Sequence, residues 1–396
     1  MSDRGLPAIG GLLEPVSSWA PEREDPGGVF TYIDLSAVDQ DAKVITGARE
    51  LNCAEAPSRA RQVVRAGDVL VSTVRPNLNG VARVPPELDG ATASTGFCVL
   101  RPKSDSLDGH YLFQWVKSPR FVAEMVRRAT GASYPAVSDR IVCESQLPLP
   151  SLPEQRRIAE ILDKADALRA KRRATLAQLD TVTQSIFLDM FGDPATNPKG
   201  WPQVPIGDHA SKIGSGATPR GGEESYKAAG ITLIRSMNVR DGAFLRDGLA
   251  FIDDEQAAQL AGVVVEADDV LLNITGASVA RVCRAPADVL PARVNQHVSI
   301  IRPTATFNPL FLEQCLLLPS VKEHLLKIAR AGATREAITK SAIEHFSVIG
   351  PPHEVQDRFA ARVAASERIS GQMRVALGGA DALFASLQHR AFRGEL

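Results

Sequence analysis

The sequence predicts an α+β fold in which two similar globular domains are joined by two long antiparallel coiled-coil helices, giving pseudo-two-fold character. Three observations predict it. The chain repeats itself about 201 positions on, each half mixes short β-branched runs with Gly/Pro turns, and each half ends in a long stretch of heptad-spaced apolar residues. The repeat is explicit: Gly67-Asp68-Val69-Leu70 returns as Asp268-Asp269-Val270-Leu271, Leu100-Arg101-Pro102 as Ile301-Arg302-Pro303, and Gln155-Arg156-Arg157-Ile158 as Gln356-Asp357-Arg358-Phe359. A period this long is a whole domain with its connector, not a solenoid unit.

Residues 1–150 form the first globular domain. Strand-like runs at Val29 to Leu35, Val69 to Val74 and Phe97 to Leu100 are separated by turn residues and followed by a helical stretch from His110 to Arg128. Residues 151–192 read as one helix, opened by a capping box at Ser151-Leu152-Pro153-Glu154 and stopped by Gly192-Asp193-Pro194. Within it Ile158, Ile161, Ala165, Leu168, Arg172, Thr175, Leu179, Val182 and Ile186 recur at alternating steps of three and four, the spacing of a coiled-coil seam. Such a helix is roughly 55–60 Å long, more than one domain's width. Residues 193–350 repeat the domain and residues 351–396 repeat the helix. The second seam runs Phe359, Val363, Ser366, Ile369, Met373, Ala376, Ala380, Leu383 and Leu387, with a weak point at Gly378-Gly379, where helix propensity falls by about 1 kcal/mol per Gly.

Composition narrows the function. The chain has 396 residues, is 44% hydrophobic and carries a net charge of −1, so any field drawing it to nucleic acid is local, and a basic partner is expected to strengthen binding. Basic clusters occur at Arg169 to Arg173, at Arg127-Arg128 and along Lys322 to Arg335. No apolar run reaches about 18 residues and Met1-Ser2-Asp3-Arg4 is no secretory start, so a cytoplasmic location without membrane contact is expected. The five cysteines lack CxxC spacing and read as buried thiols.

Enzyme signatures are absent: there is no GxxxxGK[ST] loop, HExxH pair or GxSxG elbow, and the histidines do not cluster at metal-ligand spacings. Asn308-Pro309-Leu310-Phe311 approaches an amino-methyltransferase motif but departs at its third position. It reads better as a helix start, with Asn308 capping and Pro309 in the first turn. The Gly214 to Gly222 run is either a phosphate cradle or a plain exposed loop, and its lack of strand-loop-helix context leaves the plain loop at least as good a reading. What remains are polar loops beside strand-like runs in matching places: Ser72 to Gly80, Ala93 to Gly96 and Thr130 to Tyr134 in the first half, and Asn273 to Ser278, Asn295 to His297, Gly332 to Arg335 and Thr339-Lys340 in the second. Their Arg, Asn, Gln, Ser and Thr side chains suit base edges and phosphates. Val81-Ala82-Arg83-Val84 matches Val279-Ala280-Arg281-Val282 at a shorter shift, so the Arg75 to Gly80 loop is expected to be about three residues longer than its counterpart, and the two halves to read different sequences.

Several of these strings resemble the target-recognition domains of the specificity subunit of type I restriction-modification systems. They are Leu70 to Asn79 with Ala93 to Pro102, Leu272 to Ser278 with Val294 to Val298, Gly332 to Lys340, the helix entry Leu147 to Gln155, and Gly216-Ala217-Thr218-Pro219 with Tyr226. The resemblance covers nearly the whole chain in the order recognition domain, helix, recognition domain, helix. It implies a subunit without chemistry or cofactor of its own, whose domains read the two halves of an interrupted, asymmetric double-stranded DNA target while the helices fix the gap. Two methyltransferase subunits would bring S-adenosylmethionine, and motor-nuclease subunits ATP and magnesium. DNA contacts are then expected from Arg75, Asn77, Asn79, Thr95, Ser133, Tyr134, Thr218, Arg220, Asn273, Thr275, Ser278, Asn295, Gln296, Thr334, Arg335 and Lys340. Helix pairing and partner docking are expected from Ile158, Ile161, Leu168, Arg169, Leu179, Val182, Ile186, Phe359, Ile369, Met373, Leu383 and Leu387. The alternative is a non-catalytic coiled-coil scaffold joining proteins without sequence-specific DNA binding; a fused methyltransferase ranks third.

Overall fold

The computed structural model describes residues 6–131, 133–331 and 336–396, and of Asp180 the backbone only. The chain divides into two compact units, one built from Met1–Thr175 with Met373–Leu396 and the other from Leu176–Gln372. Each long helix, Leu152–Phe191 and His353–Ala391, is shared between the two. The cause is visible in the cores. Ile158, Ala159 and Leu162 pack with Tyr111, Trp115, Phe384 and Phe392 in the first unit, whereas Phe187 and Phe191 pack with Phe311, Phe359 and Val363 in the second.

Both units build the same sheets. In the first unit, Leu13–Glu14, Phe97–Pro102, Val69–Ser72 and Val81–Arg83 form one antiparallel sheet in that order. A second sheet runs Arg49–Asn52, Val29–Ile33, Thr92–Ser94, Ala60–Val63, its central pair parallel. The second unit repeats both orders with Ala210–Ser215, Val298–Pro303, Val270–Asn273, Val282–Arg284 and with Ala250–Ile252, Ile231–Ile234, Ala292–Val294, Val264–Val265, including the parallel central pair. The uninterrupted apolar run Val69-Leu70-Val71 is explained by its two covered faces. Val69 and Val71 point into the core of Tyr111 and Trp115, while Leu70 points into that of Ile33, Val64 and Phe97.

Two buried devices recur one repeat apart. Arg101 donates to both oxygens of Asp68 (3.0 and 2.8 Å) and to Val63 O, and the Asp68 carboxylate also accepts the Arg65 amide. Arg302 does the same to Asp269 (2.7 and 2.8 Å) and Val264 O, with Asp269 accepting the Glu266 amide. In each case the hydrogen-bonded carboxylate pushes the guanidinium further above its ordinary pKa. At the start of each long helix a buried glutamine pins the helix to its own domain. Gln155 accepts from the Asp108 amide and donates to Ser106 O and Pro150 O, and Gln356 accepts from the Asn308 amide and donates to Pro351 O. Asn308 caps its helix as the sequence indicates, accepting from the Leu310 and Phe311 amides.

Three local expectations are corrected. Glu154 does not reach back over Ser151; both its oxygens accept from Arg157. The loop after Val69–Ser72 is not longer than its counterpart. Val81 pairs with Val71 and Val282 with Leu272, so Val81 corresponds to Val282 and the Val-Ala-Arg-Val likeness at residues 279–282 is fortuitous. The helix seams also differ from strict heptads: Leu168, Ile369 and Leu383 are exposed, while Leu162, Ser370 and Phe384 are buried. An ideal helix drifts about 20° per heptad from a 3.5-residue repeat, so by Phe384, more than three heptads past Phe359, the buried line has moved most of one position.

The pairing is seen within each unit. In the first, Arg169 donates to Asp381 (2.6 Å) and Asp166 and lies 4.3 Å from the Phe384 ring centroid, while Arg172 donates to Ala376 O. In the second, Phe359 meets Phe187 and Phe191, each with centroids 5.5 Å apart, and Ile186 packs beside them. Ile161, Leu179, Val182, Met373 and Leu387 are half-buried, and the helix runs through Gly378-Gly379 unbroken. All five cysteines are free, and four are buried. Among the described residues no helix is long and apolar enough to cross a membrane.

Candidate nucleic-acid interface

In the first domain the loop 72–80 leaves its strand through a sharp left-handed turn. Arg75 sits at φ 51° and Asn79 at φ 46°, with Pro76–Leu78 wound as one 3-10 turn between them. The loop is stapled on three sides. Thr73 donates through its amide and hydroxyl to Gly96 O (2.9 Å each), Val74 bridges Ala136, and the Arg75 amide donates to Pro135 O at 2.7 Å. Lys43 donates to Asn79 O at 2.6 Å; burial, and then the charge of Lys117, lower its pKa. These bonds bring the 130–137 loop under Arg75, whose guanidinium lies 4.7 Å from the ring centroid of Tyr134, itself 68% exposed. A guanidinium held over an aromatic face is thus presented to solvent, and Asn77 and Ser133, neighbours of Arg75 and Tyr134 in the chain, are exposed as well. Thr95 is exposed beyond it, its amide bonded to Arg59 O, whereas Asn79 contributes mainly its carbonyl.

The second domain carries the same loop backbone. Gly276 (φ 74°) and Ala280 (φ 63°) occupy the left-handed positions of Arg75 and Asn79, and Thr275 bridges Ala337 as Val74 bridges Ala136. The Asn273 amide donates to Arg281 O as the Ser72 amide does to Gly80 O, 2.8 Å in both. The side chains are different. Thr275 Oγ1 lies 2.5 Å from His297 Nδ1, His297 Nε2 is 3.2 Å from the Gln296 amide nitrogen, and Gln296 Oε1 accepts from Thr218. Thr218 reaches this chain because Gly216 is laid against the strand Ala292–Val294: a Cβ there would sit 1.8 Å from Val294 O. An open cleft of about 1000 Å³ runs beside the loop, lined by Ser236, Met237, Arg240, Thr275 to Ser278, Arg281, His297, Glu336 and Ala337.

Thr275, Ser278, Gln296 and Thr218 are thus brought together, and Arg220 is exposed on the neighbouring loop. Asn273 and Asn295 are corrected: both are buried, Asn273 donating to Ser236 O and Asn295 accepting from the His297 amide, so they shape the loops and do not face a ligand. Lys340 lies apart from the cleft, in a separate surface hollow with Lys212, Glu344 and His345. Thr334 and Arg335 lie outside the described residues. Sequence reasoning missed His297, Ser236, Met237, Arg240 and Arg281. The signal was present in the plain repeat shift, which sets Arg240 against Asp39 and Arg281 against Gly80, but the Val-Ala-Arg-Val likeness concealed it.

Residues 63–179 match the family model of the type I restriction modification DNA specificity domain. The chain is 24% identical over 337 residues to the specificity subunit of type I restriction enzyme EcoBI of Escherichia coli, covering 76% of this chain and 68% of that protein. The chain is thus similar to type I restriction enzyme specificity subunits along most of its length. It is also 22% identical over 285 residues to the MjaIX specificity subunit of Methanocaldococcus jannaschii, covering 68% of this chain and 64% of that one; over the HindI subunit of Haemophilus influenzae the alignment spans only 31% of the relative. A solved chain from work on complex assembly and conformational transition of the type I R-M system superposes with TM-score 0.66 at 26% identity, covering 99% of this chain and all of that one. The type I S subunit of M. genitalium shares the fold at TM-score 0.57, 12% identity, 99% of this chain and 97% of that one. The scaffold alternative is not favoured by these likenesses.

Proposed function

We propose that this specificity subunit reads an asymmetric, bipartite double-stranded DNA target in the cytoplasm, each domain contacting one half-site, and recruits adenine-methylating and motor-nuclease subunits. Two methyltransferase subunits would supply S-adenosylmethionine, and the motor subunits ATP and magnesium. The carrying observation is the repeated loop: one backbone, held by the same hydrogen bonds, displays Arg75 in one domain and Gly276 in the other. A common frame with different side chains is what two unlike half-sites require. In the first domain Arg75, Asn77, Ser133 and Tyr134 face the duplex; in the second, Thr275, Ser278, Gln296, Thr218 and His297. The exposed apolar residues Leu168, Ile369 and Leu383 lie on the long helices and provide docking positions for the methyltransferase subunits. The experiment is methylome sequencing of a host carrying the chain with its methyltransferase. A modified sequence in two unlike parts separated by unspecified bases is expected; absence of sequence-specific modification would refute the reading.

A further inference from the structure

We propose that Arg240 and Arg281 form a phosphate clamp for double-stranded DNA in the cleft of the second domain, a contact the first domain does not make. The proposal rests on the DNA-reading function above and adds to it residues outside the recognition loops' exposed tips.

The two side chains are placed by backbone bonds. The Gly242 amide donates to Val282 O at 2.9 Å, which lays the Val239–Arg240 hairpin against the strand that follows Arg281, and the Asn273 amide fixes Arg281 O. Both line the same open cleft with Ser236, Thr275 and His297. Neither guanidinium has an ion-pair or hydrogen-bond partner among the described residues, although most arginines of the second domain have one. The nearby acids are already engaged: Glu336, in the cleft wall, accepts from Arg330 at 2.9 Å, and Asp241 is held by Lys322. The two guanidinium groups thus line one cleft whose single carboxylate already accepts from another arginine, and an anion entering the cleft meets unpaired donors. A guanidinium fork matches phosphate oxygens bidentately.

The repeat supplies the contrast. Asp39 stands where Arg240 does, its carboxylate accepting from the Asp41 and Ala42 amides (2.9 Å each), and Gly80 stands where Arg281 does. The first domain therefore presents its cation from the loop apex, at Arg75, and the second from the lining of the cleft. The open, shallow cleft suits a duplex backbone, whose phosphates approach from outside, better than a small enclosed anion.

The test measures binding of a duplex carrying the methylome-defined target to the full chain with its methyltransferase, at several salt concentrations, for wild type, Arg240→Gln, Arg281→Gln and Arg281→Lys. Each Gln variant is expected to weaken binding about 3- to 10-fold near physiological salt and to lower the log–log salt slope by about 0.9, leaving the methylated sequence unchanged. Arg281→Lys is expected to retain most of the slope, separating a lost charge from a misfolded cleft. Unchanged affinity and slope in both Gln variants, with a wild type that reads its target, would overturn the clamp and leave DNA reading intact. Relaxed specificity at the second half-site would overturn it in favour of a base contact, and competition by millimolar inorganic phosphate in favour of a free-anion site. A wild type without any sequence preference would instead overturn the underlying function.

Discussion

The two domains share a frame and differ in where they place positive charge. Sheet order, strand sense, the Arg–Asp pair, the helix-anchoring glutamine and even the left-handed turns recur one repeat apart. Yet Arg75 crowns the loop in one domain, and in the other that position is Gly276, with arginines at the flanks. The repeated ion pairs and glutamine anchors hold the frame, while the loop side chains laid on it differ from one domain to the other.

The comparison can be broken most severely at the ion pairs. Asp68→Ala leaves Arg101 buried without its carboxylate and is expected to destabilise the first domain by about 3–5 kcal/mol. Asp269→Ala is expected to cost the second roughly 1–3 kcal/mol, because Arg302 is more exposed and retains Glu266. Denaturant unfolding of both variants checks the order, and equal losses would mean that the two frames are not differently buried. Next, Gln155→Ala and Gln356→Ala each strand a helix-capping amide and are expected to cost about 1–3 kcal/mol, by similar amounts since each accepts that amide and donates to the carbonyl five residues before it, Gln155 adding only a bond to Ser106 O. A large difference in their melting shifts would show that the anchors are unequal.

Arg75→Ala sharpens the comparison on the recognition side. It is expected to weaken binding by about 1–3 kcal/mol and to relax the first half-site alone, measured by methylome sequencing with duplex binding. Loss shared equally by unrelated sequences would make Arg75 a phosphate contact. The smallest effect on stability, within about 0.5 kcal/mol, is expected for Leu168→Asp, whose side chain is half-exposed; co-purification should nevertheless lose the methyltransferase subunit. Undiminished co-purification would remove Leu168 from the docking surface.

The fold class was legible because its signals are periodic: a domain-length repeat, heptads and apolar strand runs. Asp68 and Arg101 each stood out because each recurs one repeat on, but that they bond to each other is seen only in the fold. The seams were read one position out at Ile369 and Leu383, because a 3.5-residue template ignores helical drift over several turns. Among the proposed contact residues, loop composition singled out Arg75, Thr275 and Gln296, which lie on exposed or half-buried loops, but not their surroundings. Asn273 and Asn295 have the right chemistry for base edges, and only burial reveals that their amides hold the loops. Arg240 and Arg281 lie on or beside strands, where composition gives no sign that two cations line one cleft.

Methylome sequencing of a host expressing the chain with its methyltransferase, wild type beside Arg75→Ala, addresses the division of labour between the domains most directly. The account requires a two-part asymmetric target in the wild type and altered bases in one part only in the variant. A contiguous or palindromic target, or a variant altered in both parts, would contradict it.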